Sequence, residues 1–356
     1  MKKAEVTFRF LTPALLAGAD QKSAEMRASS IRGALRWWMN ALGYDKDCIN
    51  DLFGTAAGET GRRSRVIVRD TTTNNPPVKL QSAKDIIGSR YDYFLWPLGK
   101  TENARGVIQA GATASFSVFL RSGESEDLEK GLKAFLLLGS LGSRSRRCYG
   151  SIWPVRVTID GHEWKIPASL SEFKTVLESV RCKSTYMIVN VVDKGFIKKT
   201  AHSYSYKEAI DSCSSFLKKY RCGSKKSGCD PLEWGINDHN ANFKEYAVDK
   251  VYRPVLGLPL VQTYTSTYPR RKVEAKIHGL ERLASPLHFK VAFNRRMPIM
   301  IFFGRMIPRN STKVTLREKG RPNRELPLDL GLLKAILNDP QQQKISDFRP
   351  QRSVNP

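Results

Sequence analysis

The order of periodic segments in the first 160 residues constrains the fold more than any other feature of this chain. Val6, Phe8 and Phe10 alternate with polar residues, which predicts a half-buried strand at about 5–11. Apolar periodicities then predict a helix at about 30–43, strands at about 64–69 and 112–121, a helix at about 126–141 and a strand at about 151–160. This β-α-β-β-α-β order is typical of a ferredoxin-like domain, a fold shared with RNA-recognition domains. The fold class that we expect is therefore α+β.

The second half repeats enough of this pattern to predict a second ferredoxin-like domain with insertions. Its predicted elements are a strand at 185–192, a helix at 206–220, strands at about 284–293 and 297–306, a hairpin-like 313–318 and a closing helix at 332–337. The expected organisation is an N-terminal domain at 1–160, a connection at 161–184, a C-terminal domain at 185–338 and a polar, loosely held tail at 339–356.

The charge of the chain predicts a polyanionic partner. Fifty-nine Lys and Arg against 34 Asp and Glu give a formal charge of +25, which favours nucleic acid. No apolar run is long enough to span a bilayer, and neither an amphipathic anchor nor a polybasic tail is visible. Six cysteines in 356 residues are too sparse for a disulfide framework. We expect a cytoplasmic protein that does not act at a membrane.

The start of the first predicted helix has the composition of a phosphate-binding site. Arg27, Arg32 and Arg36 accompany a helix N-terminus, where unpaired backbone N–H groups and the helix dipole attract anions. Ser29 or Ser30 is a suitable N-cap for this helix. The spacing of its apolar residues predicts that Arg32 and Arg36, one turn apart, share a face away from the buried stripe.

A second basic segment, Gly139–Ser151, follows the second predicted helix and is hereafter the Gly/Arg loop. Glycine allows close approach of backbone to a phosphate, and the guanidinium groups of Arg144, Arg146 and Arg147 bind phosphate oxygens. A solvated basic turn after a helix is the alternative explanation. In the predicted topology this loop and the first helix flank one groove, which favours a nucleic-acid site.

These segments carry a resemblance to a known family. Arg-Ala-Ser-Ser-Ile-Arg-Gly-Ala-Leu-Arg-Trp-Trp at 27–38 and Gly-Ser-Leu-Gly-Ser-Arg-Ser-Arg-Arg-Cys-Tyr-Gly-Ser at 139–151 resemble the RAMP superfamily of CRISPR-Cas proteins. Arg282-Leu283-Ala284-Ser285-Pro286-Leu287 in the second half is similar to a further motif of these proteins. Within that superfamily, the sequence resembles the first subunits of type III-B Cmr effector complexes. Cys148 departs from the family loop, which commonly has Gly after the two arginines.

The resemblance implies a non-catalytic RNA-binding subunit that assembles with other Cmr subunits, contributes to binding of guide RNA and captures target RNA. No cofactor is expected. Tyr264 and Tyr268 interleave with the basic residues 270–272 as in a single-strand track, although a solvated face is the alternative. The residues expected to bind RNA are Arg27, Ser30, Gly142, Arg32, Arg36, Arg144, Arg146, Arg147, Arg270, Arg271, Lys272, Arg282, Arg295 and Arg296.

Two other functions remain as alternatives. The chain is a metal-assisted endoribonuclease if Asp20, in the loop after the first strand, is catalytic, although the preceding Gly18-Ala19 favours an Asx turn as the explanation of that residue. It is a pure scaffold subunit if its charge serves only docking and solubility. The five histidines are scattered, and Cys213, Cys222, Cys229 and His239 lack a paired zinc knuckle, so we expect no metal site.

Overall fold

A computed structural model provides the coordinates. The described residues are 1–18, 23–56, 61–73, 78–81, 85–86, 93–95, 105–198, 205–222, 230, 232–243, 248–258, 260–264, 271–277, 282–293, 297–308 and 312–349. The helices are α1 (Ala28–Leu42), α2 (Lys46–Phe53), α3 (Glu126–Leu138), α4 (Leu170–Ser179), α5 (Gly195–Lys198), α6 (Tyr206–Arg221), α7 (Glu233–Phe243) and α8 (Gly331–Leu337).

The described strands form antiparallel pairs in a mixed α/β fold. In the first half of the chain they are β1 (Lys3–Phe10), β2 (Val66–Asp70), β3 (Val78–Gln81), β4 (Arg105–Ile108), β5 (Thr113–Leu120), β6 (Ile152–Ile159) and β7 (His162–Glu163). The later strands are β8 (Met187–Val191), β9 (Leu260–Tyr264), β10 (Arg271–Ile277), β11 (Leu287–Ala292), β12 (Met297–Phe303), β13 (Lys313–Glu318), β14 (Arg324–Pro327) and β15 (Gln343–Phe348).

The first sheet has the strand order β2-β5-β1-β6-β7. The period-2 pattern of β1 buries Val6, Phe8 and Phe10, as predicted. Helices α1 and α3 pack against each other, and Gly131 lies at their contact, where a built Cβ would lie 2.7 Å from Met39 Cγ and the methionine side chain would have to shift. The first six predicted elements are confirmed, with their ends moved by a few residues.

A second sheet has the order β11-β12-β8-β15, and one of its strands lies in the segment that was expected to be a loosely held tail. The segment from Asp339 was expected to be loosely held, but β15 pairs antiparallel with β8. The supposed connection 161–184 contains α4, whose Phe173 lies 6.0 Å from Trp153 and 4.9 Å from Phe293 between ring centroids. Sequence polarity concealed both elements, because α4 buries only Phe173 and Leu177, and β15 buries Ile345, Ser346 and Phe348 among polar neighbours.

The chain divides into two compact units. One comprises residues 1–214, 288–302 and the described residues from 343, and the other comprises 215–287 and 303–342. The second unit contains the sheet β14-β13-β10-β9, together with a buried ion pair in which Arg253 Nε lies 3.0 Å from Asp238 Oδ2. Every residue of the site described next belongs to the first unit.

Candidate functional site

Helix α1 begins earlier than its sequence suggests. Its N-cap is Arg27, with extended backbone at φ −128° and ψ 124°, and no side chain caps the helix. Ser29 and Ser30, the expected caps, lie inside the first turn, where Ser30 N–H donates to the Arg27 carbonyl at 2.9 Å. Arg27 forms an exposed ion pair with Glu25, with 3.2 Å between Nε and Oε1. Such an exposed pair is weak and easily exchanged for another anion.

Arg32 and Arg36 share a face of α1, as predicted, but the structure supplies both with acceptors at the end of α2. Arg32 Nη2 donates to the Phe53 carbonyl, and Arg36 donates to the Gly54 carbonyl at 3.3 Å and to Asn50 Oδ1 at 3.1 Å. Two positive charges at the C-terminus of a helix stabilise its exposed carbonyls. The guanidinium groups expected to bind phosphate therefore hold α2 in place, and only Arg36 remains exposed.

The Gly/Arg loop follows a path that needs left-handed backbone at several positions. Gly142 and Gly150 have φ of 93° and 66°, and a Cβ on Gly150 lies only 1.8 Å from the Leu141 carbonyl oxygen. Only glycine fits these two positions. The loop is fixed to the segment after β1, since Ser143 N–H donates to the Leu15 carbonyl at 2.9 Å and Gly150 N–H donates to the Pro13 carbonyl at 2.8 Å.

Cys148, the residue that departs from the family pattern, adopts the conformation that glycine favours. Its φ is 68°, its side chain is buried, and its carbonyl accepts hydrogen bonds from Thr12 Oγ1 at 2.6 Å and Ser151 Oγ at 2.7 Å. Left-handed backbone costs a non-glycine residue about 1–2 kcal/mol. Cys148 therefore holds this conformation at a cost in backbone strain.

Strand β11, more than 130 residues along the chain, completes the loop. Cys148 N–H donates to the Phe289 carbonyl at 2.9 Å, and Phe289 N–H donates to the Arg146 carbonyl at 3.1 Å. Lys290 is fully buried, and its Nζ donates to the carbonyls of Gly139 at 2.7 Å and Ile152 at 2.6 Å. Burial holds the pKa of Lys290 well below its usual value, which favours the neutral amine. The loop is therefore tied to β11 through both backbone and side chain.

Helix α1 and the Gly/Arg loop meet at Trp37. The indole stacks on His288, with 5.0 Å between ring centroids and 17° between the planes, and the Arg146 guanidinium lies 5.8 Å from the indole centroid. Between them opens a pocket of about 140 Å3, hereafter the Trp37 pocket. Its lining residues are Ala34, Trp37, Trp38, Leu138, Ser140, Ser145, Arg146, His288, Phe289, Lys290 and Ile301.

Positive charge in the Trp37 pocket comes from Arg146. None of the described residues that line the pocket is acidic. Burial lowers the pKa of Arg146, but an arginine keeps its charge in proteins. Burial, together with the charges of Arg146 and Arg147, holds the pKa of His288 well below its usual value, so this imidazole is neutral at pH 7. Arg146 is thus a half-buried cation that lies against an indole.

The other arginines of the loop differ from Arg146. Arg147 lies over two aromatic rings, 5.7 Å from the centroids of both Phe94 and Phe289, and donates to the Arg146 carbonyl at 3.1 Å. Arg144 is half-buried and has a φ of 63°. Arg147 therefore contributes to packing beneath the loop, a role that the sequence analysis did not anticipate.

The remaining predicted residues lie elsewhere. Arg271 donates two hydrogen bonds to Glu318, each with a donor–acceptor distance of 2.6 Å. Lys272 and Arg282 are exposed. The residues that lie outside the described part of the chain are Asp20, Cys229, Tyr268, Arg270, Arg295 and Arg296. Among the described residues, no group of three or more His, Cys, Asp or Glu side chains is arranged to hold a metal ion.

Sequence reasoning missed His288, Phe289 and Lys290 as parts of the site. The signal was present in the alternation of His288 and Lys290 with apolar neighbours, which reads as a strand with one solvated face. Both side chains are buried instead, at 6% and 1% exposure. Two polar side chains on one face of a strand therefore marked a contact with another part of the chain.

The chain is similar to proteins of the RAMP superfamily and to Cmr1 subunits of CRISPR systems. The family model of the RAMP superfamily matches residues 7–153. The CRISPR system Cmr subunit Cmr1-2 of Pyrococcus furiosus is 30% identical over 169 residues, which cover 40% of this chain and 89% of that protein. Cmr subunit Cmr1-1 of the same organism is 33% identical over 154 residues, and the match spans 40% of this chain but only 45% of that longer relative.

One solved structure shares the fold over nearly the whole chain. The apo crystal structure of Cmr1 from Pyrococcus furiosus superposes with a TM-score of 0.53 at 20% identity, covering 98% of this chain and 99% of that one. Among the residues that the coordinates describe, no helix is both long enough and apolar enough to cross a bilayer.

Proposed function

Because the chain belongs to the RAMP superfamily, and within it to the Cmr1 subunits of CRISPR Cmr systems, we propose that it is a non-catalytic RNA-binding subunit of a type III-B effector complex. In this role it assembles with other Cmr subunits, contributes to binding of guide RNA and captures target RNA. Base pairing between the two RNAs supplies sequence specificity, while the protein contacts the ribose-phosphate backbone.

Two ferredoxin-like domains form the framework of this proposal. In the first, the chain order β1-α1-β2-β5-α3-β6 accompanies the sheet order β2-β5-β1-β6. In the second, the chain order β8-β11-β12-β15 accompanies the sheet order β11-β12-β8-β15. In both sheets the first strand of the set lies between the third and the fourth, which supports the same fold. The C-terminal domain then starts near residue 185 and includes β15, beyond the expected end at 338.

Arg146 carries the proposal of RNA binding. Its guanidinium lies 5.8 Å from the Trp37 ring centroid, and no acidic residue is among the described residues of the pocket. A half-buried cation without a carboxylate partner favours a phosphate oxygen, and the adjacent indole offers a surface for a base. Arg27, Arg36 and Arg144 extend the basic surface, whereas Arg32 and Arg147 stabilise the fold around it.

Binding of single-stranded RNA to the full chain tests this function. We expect Arg146→Ala to weaken binding about tenfold for all sequences alike, because one charge-assisted phosphate contact is lost. Arg156→Ala, at an exposed position on β6, is the matched control and should leave the dissociation constant unchanged. If about six phosphates are neutralised, wild-type affinity should fall by about three decades between 50 and 200 mM salt. Equal affinities of the two variants, or a flat salt response, contradict the proposal.

A further inference from the structure

Resting on the proposed function, we infer that the Trp37 pocket receives a single nucleobase of the bound RNA strand. The phosphate contact at Arg146 then has a neighbouring site for a base, so the loop and α1 bind one complete nucleotide. This assigns to the site a base-binding component that backbone contacts alone do not provide.

The dimensions of the pocket favour one base. Pockets for drug-sized ligands occupy about 300–1,000 Å3, whereas this pocket has about 140 Å3. A group smaller than a whole cofactor therefore fits, and a flat heteroaromatic ring is such a group. Trp37, Ser145 and Arg146 are only partly buried, so the pocket opens to solvent on the side where the guanidinium lies.

The walls of the pocket are suited to a base. Ala34 and Ile301 are apolar, and the indoles of Trp37 and Trp38 lie edge to face with 5.3 Å between their centroids. Single-stranded RNA is bound in this way, by aromatic side chains that contact unstacked bases. The hydroxyl groups of Ser140 and Ser145 both donate and accept hydrogen bonds, so they match the polar edge of any base.

The polar groups at the deep end of the pocket support a base and argue against a second phosphate. The Lys290 amine already donates to two backbone carbonyls, and burial favours its neutral form. The His288 imidazole is neutral for the same reason and stacks on Trp37. The amine at the deep end of the pocket is thus already engaged by protein carbonyls, and Arg146 of the half-buried loop is the cation placed to contact a phosphate.

Comparing RNA with and without bases tests the inference on the full chain. We expect a single-stranded oligoadenylate to bind about tenfold more tightly than an abasic ribose-phosphate strand of the same length, because a contacted base is lost. Ala34→Met fills the pocket from α1 and should bring this ratio close to one. Ala168→Met, at an exposed position before α4, is the matched control and should keep the wild-type ratio.

The outcomes separate this inference from the proposed function. A wild-type chain that binds both strands equally, with the expected salt dependence, overturns the base pocket and leaves RNA binding in place. A chain that binds neither strand overturns both. Ser145→Leu blocks the pocket from the partly exposed loop and should reproduce the loss of discrimination even if Ala34→Met disturbs the fold. Photocrosslinking of 4-thiouridine RNA should label the segment 34–38, and labelling confined to other segments contradicts the inference.

Discussion

The arginines of α1 and the arginines of the Gly/Arg loop look alike in the sequence and differ in the folded chain. Arg32 and Arg36 donate to acceptors at the end of α2, the carbonyls of Phe53 and Gly54 among them. The described residues instead bring the Arg146 guanidinium against the Trp37 indole, and burial lowers its pKa. A guanidinium that the fold supplies with acceptors stabilises the fold, whereas one left beside an indole is available to a ligand.

Helix α1 and the Gly/Arg loop are also held in the fold by different contacts. Helix α1 is anchored by its own apolar stripe, in which Ile31, Leu35 and Trp38 are buried. The Gly/Arg loop has no stripe of this kind and depends on backbone pairing with β11 and on Lys290. Removing a contact in α1 should therefore cost stability locally, and removing Lys290 should displace the loop as a whole.

The largest expected effect comes from Lys290→Met, which breaks the anchor of the loop without touching an arginine. The carbonyls of Gly139 and Ile152 lose their donor inside the core, so the free energy of unfolding should fall by about 2–4 kcal/mol. Urea denaturation measures this change. Lys313→Met, at an exposed position in β13, is the control and should change stability little. A small effect at position 290 means that backbone pairing with β11 suffices to hold the loop.

The pH dependence of stability reports whether the folded chain buries Lys290 as a neutral amine. The unfolded chain protonates Lys290 below a pKa of about 10.4, whereas burial favours the neutral amine in the folded chain. The unfolded state therefore binds more protons, and the free energy of unfolding rises with pH between the two pKa values, by at most about 1.4 kcal/mol per pH unit. This contribution is lost as the pH falls through that range.

Wild type and Lys290→Met, compared at pH 7 and pH 9, isolate this proton. Contributions from other groups, such as the buried Tyr44 and Tyr220, whose pKa values burial raises, cancel in the difference. Wild type should gain stability relative to the variant as the pH rises. Identical pH profiles of the two proteins mean that the folded chain holds the charged ammonium.

Separate alanine substitutions of Arg32 and Arg146 test whether the first stabilises the fold and the second binds RNA. Arg32→Ala should lower the free energy of unfolding by about 1–2 kcal/mol, because the C-terminus of α2 loses its donor, and should change RNA affinity little. Arg146→Ala should do the reverse, since its cation–π contact with Trp37 is worth only about 0.5–1 kcal/mol. Denaturation and RNA titration of both variants measure the two quantities. If Arg32→Ala loses RNA affinity while its stability is unchanged, Arg32 binds RNA and does not hold α2 in place.

The sequence predicted the first half of the fold because its strands alternate and its helices are amphipathic. Val6 to Phe10 and the stripe from Ile31 to Leu42 are local signals, and local signals are visible without coordinates. The first elements and the Gly/Arg loop were found in this way. Helix α2 was not predicted, and without it the acceptors of Arg32 and Arg36 could not be foreseen.

The parts that escaped prediction are contacts between distant segments. Nothing near Gly139 indicates that its carbonyl accepts a hydrogen bond from Lys290, 151 residues further along the chain. Strand β15 was concealed by its polar composition, since pairing with β8 rather than an apolar pattern defines it. Burial of a polar residue depends on a partner that only the folded chain brings close.

The smallest expected effect concerns Cys148, where the loop keeps its path with a residue other than glycine. Cys148→Gly removes the strain of a φ of 68° but loses a buried side chain, and Cys148→Ala loses part of that side chain while keeping the strain. Glycine should therefore be the more stable of the two variants by about 1 kcal/mol, although it is the smaller residue. Thermal and urea denaturation of both variants give the difference. An alanine variant more stable than the glycine variant means that side-chain packing, rather than backbone conformation, determines how the loop is held at this position.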